Sequence, residues 1–134
     1  MGRRAIGPFE VKLSPQTAYN TDETALLGRM SIEKQFHGDL EATSKGEMLT
    51  AGSVVKGSAG YVAIERVNGT LDGKTGSFAL QHFGAMNRGV PSLVISVVPD
   101  SGLGELEGLT GTMSIEIVNG KHSYVLDYAL PGSR

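Results

Sequence analysis

The sequence predicts an all-β fold, an antiparallel sandwich or barrel, on three observations. Asn119-Gly120 separates two alternating runs, Thr112 to Val118 and Lys121 to Tyr128. Asn-Gly supplies the positive φ angles that a two-residue type I′ hairpin turn demands. Turn residues, many of them among the 19 glycines, recur roughly every eight to twelve positions, the spacing of short strands in sandwiches and barrels. Convincing helix patterns are missing; Gln16 to Gly28 offers one turn at most, with Thr21 or Asp22 as its N-cap.

In chain order, strands are expected at Phe9 to Leu13, Arg29 to Phe36, Gly38 to Ser44, Glu47 to Lys56 and Ala59 to Val67. Four more follow at Ser77 to Phe83, Ser92 to Val98, Thr110 to Val118 and His122 to Leu130. Their short links suit an antiparallel meander. The Asn119-Gly120 turn sets Ile117 opposite His122, Ile115 opposite Tyr124, Met113 opposite Leu126 and Gly111 opposite Tyr128. Asp72-Gly73 marks a second type I′ hairpin, pairing Val67 with Phe78, Glu65 with Leu80, Ala63 with His82 and Tyr61 with Gly84. Glu65 and His82 are then diagonal neighbours on one apolar face, unless a bulge in the turn slips the register. Leu93 to Val98 and much of Tyr61 to Ile64 are apolar on both faces, so both faces need a cover. With little helix to provide it outside a barrel, a second copy of the chain is expected, making a homo-oligomer.

At 134 residues the chain suits one domain, 1–134, with a core that folds without staples. A net charge of −2 with twelve scattered Lys and Arg argues against nucleic acid as a partner. Arg3-Arg4 is expected at a frayed, solvated end. The absence of cysteine excludes disulfides, thiolate catalysis and cysteine metal sites. No apolar stretch approaches the ~18 residues of a membrane span. The first residues lack the apolar centre of a signal peptide, and Ile6 stands where myristoylation wants Ser or Thr. A cytoplasmic location without a membrane partner is the expectation.

Candidate chemistry centres on Glu65 and His82. A carboxylate in an apolar lumen is pushed towards a raised pKa, and a neighbouring imidazole pulls it back. Such a pair either moves a proton without any cofactor or serves as a structural hydrogen bond. His122, Tyr124 and Tyr128 share the apolar face of the last hairpin, where they either orient a ligand or pack as satisfied core residues. His37, His82 and His122 lie on separate strands without metal-ligand spacing, so no metal is expected, the alternative being that barrel closure assembles His82, His122 and Glu65. Gly102-x-Gly104 opens no helix and reads as a tight turn, and Ser101 lies in no nucleophile-elbow sequence.

Five segments together resemble a bacterial family of uncharacterised proteins (domain of unknown function 3224). They are GDLEATSKGEML at 38–49, GSAGYVAIERVNGTLDG at 57–73, Leu80 to Met86, PDSGLGEL at 99–106, and Gly120 to Tyr124 continuing to Asp127-Tyr128. The resemblance spans Phe9 to Pro131 and implies a small antiparallel eight-stranded barrel similar to allene oxide cyclase. It implies no activity, since fold alone does not transfer chemistry. It also implies small polar residues near positions 83, 85 and 103, where this chain has Phe83, Ala85 and Leu103. An apolar barrel mouth follows if those positions line it.

The expected function is binding of a small, largely apolar molecule in the lumen, with no cofactor. Tyr61, Phe78, Met113, Ile115, His122, Tyr124 and Tyr128 are the expected lining, with Glu65 and His82 as the polar pair. The alternative is a cofactor-independent isomerase, cyclase or lyase with Glu65 as general base and His82 as its partner. A further alternative is a structural or interaction protein whose lumen is filled by its own side chains.

Overall fold

Short links and alternating side chains close the chain into an antiparallel eight-stranded barrel, here a computed structural model that describes residues 2–132. Among the described residues the strands are β1 (Arg3–Gln16), β2 (Leu27–Phe36), β3 (Leu40–Ala51), β4 (Ala59–Leu71), β5 (Lys74–Asn87), β6 (Val90–Val97), β7 (Leu103–Gly104), β8 (Thr110–Val118) and β9 (Lys121–Ala129). Neighbours run β4-β3-β2-β1-β9-β8-β6-β5, and β5 pairs with β4 to close the ring. The two-residue β7 only straps β5 at Gly76 and Ser77. A 3-10 turn at Glu23–Ala25 is capped by Asp22, whose carboxylate accepts the Thr24 backbone N–H. Met1, Ser133 and Arg134, the ends of the expected 1–134 domain, lie outside the described residues.

Both hairpins take the register that their turn residues dictate. Val67 faces Phe78 and Tyr61 faces Gly84 across the first; Ile117 faces His122 and Gly111 faces Tyr128 across the second. Asp72 (φ 49°) and Asn119 (φ 53°) occupy the left-handed region that type I′ turns require. Other strand limits differ from the expectation. The two strands expected at Gly38 to Ser44 and Glu47 to Lys56 are one, β3, because Lys45 stays in the ladder between Glu33 and Arg66. Strand β1 begins well before Phe9, since its first half pairs with β9 from Arg3 opposite Tyr128 onwards. Arg4 is therefore held in the sheet, 2.8 Å from Asp127, rather than frayed.

The two ends of the barrel differ. At one end Phe36, Leu40, Val67, Leu71, Phe78 and Leu80 fill the lumen, and Leu106 and Leu109 from the segment after β6 plug it. The other end is notched. Strand β1 pairs with β2 as far as Gln16 but with β9 only as far as Phe9. Strands β6 and β8 pair only at Ile95–Met113 and Ser96–Thr112, so the wall parts towards this mouth. Outside the barrel, Leu49, Val62, Phe83 and Val94 stand directly opposite one another on four successive strands. These four form an apolar row, 48–70% exposed in the single chain. Among the described residues no helix is long and apolar enough to cross a membrane.

Candidate functional site

Alternation along β4 and β5 turns Glu65 and His82 to the same inner face, one step apart on the diagonal. His82 Nε2 lies 2.6 Å from Glu65 Oε2. Two donors that the sequence reading did not single out complete the cluster. Lys34 on β2 sends its Nζ to the same oxygen at 2.8 Å, and Ser44 on β3 donates to Oε1 at 2.7 Å. Lys34 and Ser44 face each other across the β2–β3 ladder. The lysine ammonium also lies over the Phe9 and Phe36 rings, 5.3 and 5.7 Å from their centroids, a favourable cation–π arrangement. The signal for Lys34 was present: it falls in step with Met30, Ile32 and Phe36, the inward positions of its strand.

Two glycines make the room. Gly46 stands opposite Glu65, and a Cβ there would lie 2.5 Å from Glu65 Cα. Gly84 stands opposite Tyr61, and a Cβ there would lie 2.4 Å from the tyrosine ring. The ring thus rests over the bare backbone of β5, with its hydroxyl 3.2 Å from His82 Nδ1.

Electrostatics fixes the proton positions. Burial pushes the Glu65 carboxyl up, but hydrogen bonds from His82, Lys34 and Ser44 and the lysine's charge outweigh it and hold the pKa at about 2. The ionised carboxylate only accepts, so His82 presents an Nε2–H to it; in the neutral tautomer with that N–H, Nδ1 is the acceptor that faces the Tyr61 hydroxyl. Tyr61 itself is pushed up by burial and by the Glu65 charge, which keeps its hydroxyl protonated. The charges of Lys34 and Glu65 cancel inside the barrel, leaving Tyr61 as the half-buried outer member of the chain.

Above the cluster an apolar cavity of about 360 Å³ opens at the mouth, with Met48, Thr50, Tyr61, Met86, Pro91 and Leu93 in its wall. Of the residues expected to line a pocket, Tyr61 alone borders this cavity. Phe78, Met113, Tyr124 and Tyr128 belong to the packed core, with Ile115 against it. The Tyr124 hydroxyl accepts from Leu40 N at 2.9 Å and donates to His37 O at 2.7 Å; burial pushes its pKa up to about 12. The Tyr128 hydroxyl donates to Asp72. His122 packs on Phe9, ring centroids 5.2 Å apart, and is not among the hydrogen-bond partners of Glu65 or His82. Phe83 projects outward and Leu103 lies beside Ser77 on β7, so only Ala85 of that trio borders the mouth. A larger depression, about 820 Å³, lies outside the barrel over Leu49, Val62, Ile64, Phe83 and Val94. Among the described residues no group of three or more His, Asp or Glu is placed to hold a metal ion.

Residues 5–128 match the family model described as Protein of unknown function (DUF3224). The fold is similar to the crystal structure of a protein with unknown function from the DUF3224 family from Shewanella oneidensis MR-1. The two are 53% identical, with a TM-score of 0.92 over 97% of this chain and 98% of that one. No curated protein matches the chain.

Proposed function

The chain belongs to the DUF3224 family of proteins of unknown function, and from that premise we propose that its barrel binds a small, largely apolar molecule at the mouth. The observation that carries this reading is an apolar cavity of about 360 Å³ with a hydroxyl at its inner wall, tied to a buried carboxylate–imidazole pair. Small-molecule sites typically occupy ~300–1,000 Å³ and combine apolar walls with a few fixed polar groups. Met48 and Met86 give the wall soft, adaptable surface. With Tyr61 donating inward to His82, its oxygen lone pairs face the cavity. Thr50 stands in the same wall with a hydroxyl able to donate, so a carbonyl end is oriented towards Thr50, with the carbon beside it against the Tyr61 oxygen.

Methionine methyl groups report on this directly. In a protein labelled with [13C-methyl]methionine and titrated with 2-octanone, the Met48 and Met86 signals should shift. Met113, 5% exposed in the packed core, should stay in place. Leu93→Glu, which sets a charge in the apolar wall, should weaken the response about tenfold, the equivalent of roughly 1.4 kcal/mol. Static Met48 and Met86 signals up to the solubility limit of the ketone refute the reading.

A further inference from the structure

We propose that Tyr61, His82 and Glu65 form a proton relay ending at the mouth, and that its substrate is a small apolar carbonyl compound with an acidic C–H beside the carbonyl. The inference rests on the ligand site proposed above and adds a reaction to it.

The geometry assigns the roles. Glu65 receives three donors, from Lys34, Ser44 and His82, and lies fully buried. It is a fixed anion rather than a base that meets substrate. His82 is shielded too, 6% exposed, and reaches the cavity only through the Tyr61 hydroxyl. Tyr61 is thus the catalytic residue, with His82 and Glu65 acting through it as positioning residues.

A balanced step follows. The Tyr61 oxygen takes the proton from the carbon beside the carbonyl while its own O–H proton passes to His82 Nδ1. The C–H bonding pair becomes the C=C bond of an enolate, and the carbonyl π pair moves onto oxygen. His82 becomes an imidazolium held against the Glu65 carboxylate at 2.6 Å. Thr50, directly opposite Tyr61 on β3, supplies a second hydroxyl in the same cavity wall for the enolate oxygen. In the return step Tyr61 gives its proton to carbon or oxygen and recovers one from Nδ1. The net reaction is a proton shift, a tautomerisation or double-bond migration, with no oxidant, reductant or cofactor consumed. Charge balance favours it: Lys34 already compensates Glu65, so the new imidazolium and the enolate arise as a matched pair across one hydroxyl.

The test is hydrogen–deuterium exchange of the protons beside the carbonyl of 2-octanone in D2O, followed by proton NMR beside the methionine titration. Wild-type protein should exchange them faster than an equal concentration of free imidazole. Tyr61→Phe, which keeps the ring and loses the hydroxyl, should lower the protein-dependent rate at saturating ketone by about 100-fold, within the range of acid–base catalysis, while the Met48 and Met86 shifts still appear, at a higher ketone concentration. Gly84→Ala keeps every relay group but pushes the Tyr61 ring aside, and should lose the rate as well. Independently of any ligand, 15N NMR should find neutral His82 as the Nε2–H tautomer, with the Nδ1 resonance moved by Tyr61→Phe. Binding without protein-dependent exchange, or exchange unchanged in Tyr61→Phe, overturns the relay and leaves the ligand site standing. Absence of both binding and exchange overturns the two together.

Discussion

Replacing Glu65 by Gln tests the buried cluster on which the site is built. Glutamine retains the shape and one acceptor oxygen. That oxygen can take the Oε2 position, which receives both Lys34 at 2.8 Å and His82 at 2.6 Å. The amide nitrogen then faces Ser44, whose hydroxyl can turn to accept. Hydrogen bonding therefore survives, and the charge does not. Lys34, 8% exposed above two phenylalanine rings, is left without its counter-ion. Breaking one side of a buried pair costs about 3–5 kcal/mol. In a domain of this length that corresponds to a fall in Tm of roughly 10–20 °C.

Calorimetry and urea unfolding measure the loss, and a second change isolates its cause. In Lys34→Met/Glu65→Gln the stranded cation is gone, and stability should recover by at least about 2 kcal/mol over the single variant. The pH dependence gives an independent check. The Glu65 pKa is held at about 2 in the fold against an ordinary 4.5, so the ionised carboxylate stabilises the protein above the ordinary value. That contribution is lost as pH falls towards 2. Wild-type stability should decline across this window, and the Glu65→Gln variant should decline less. A single variant within about 1 kcal/mol of wild type, or a double variant no more stable than the single, refutes the assignment of Lys34 and Glu65 as mutually compensating charges.

Two further outcomes follow from the turns and the outer surface. Asn119 holds φ at 53°, so Asn119→Val should destabilise the protein by about 1–2 kcal/mol in urea unfolding, with Asn119→Gly close to neutral; equal stability of the two variants contradicts the left-handed turn. The exposed row Leu49, Val62, Phe83 and Val94 should be covered by a second copy of the chain, with Phe83→Glu restoring the monomer. Light scattering decides: a concentration-independent mass of 14.1 kDa for the wild type removes that expectation.

Much of the fold was legible because its determinants are local. An Asn-Gly or Asp-Gly pair fixes the direction, twist and register of the strands it joins, which is why the inner faces of β4, β5, β8 and β9 could be read residue by residue. Strand ends were less legible because they depend on distant partners. The first half of β1 is a strand only because β9, from the far end of the chain, lies beside it. The middle of β3 reads as a break, Lys45-Gly46, yet stays extended because β2 and β4 hold it on both sides. The family pattern puts Phe83 at the mouth only if its position lines it, and the alternation of β5 sends it outward: its neighbour His82 faces in, 6% exposed, while Phe83 is 70% exposed.

The site was half legible for a related reason. Hairpin register alone brings Glu65 beside His82, since the two strands are neighbours in sequence. Ser44 is a diagonal neighbour of Glu65 on the adjacent strand β3, but the link between β3 and β4 is too long to fix a register from its residues, and Lys34 reaches the same carboxylate from one strand further, β2. Their arrival changes the chemistry. An isolated Glu65–His82 pair in an apolar lumen points to a carboxylate with a raised pKa and a share in proton abstraction. With the hydrogen bond from His82 joined by those from Lys34 and Ser44, the carboxylate is held in its charged form, an acceptor for all three donors. The buried lysine also marks the division of the barrel: the Phe9 and Phe36 rings beneath it belong to the packed core, while the open cavity lies beyond Tyr61. A charge pair set between β2 and β4 thus limits how far apolar packing extends towards the mouth.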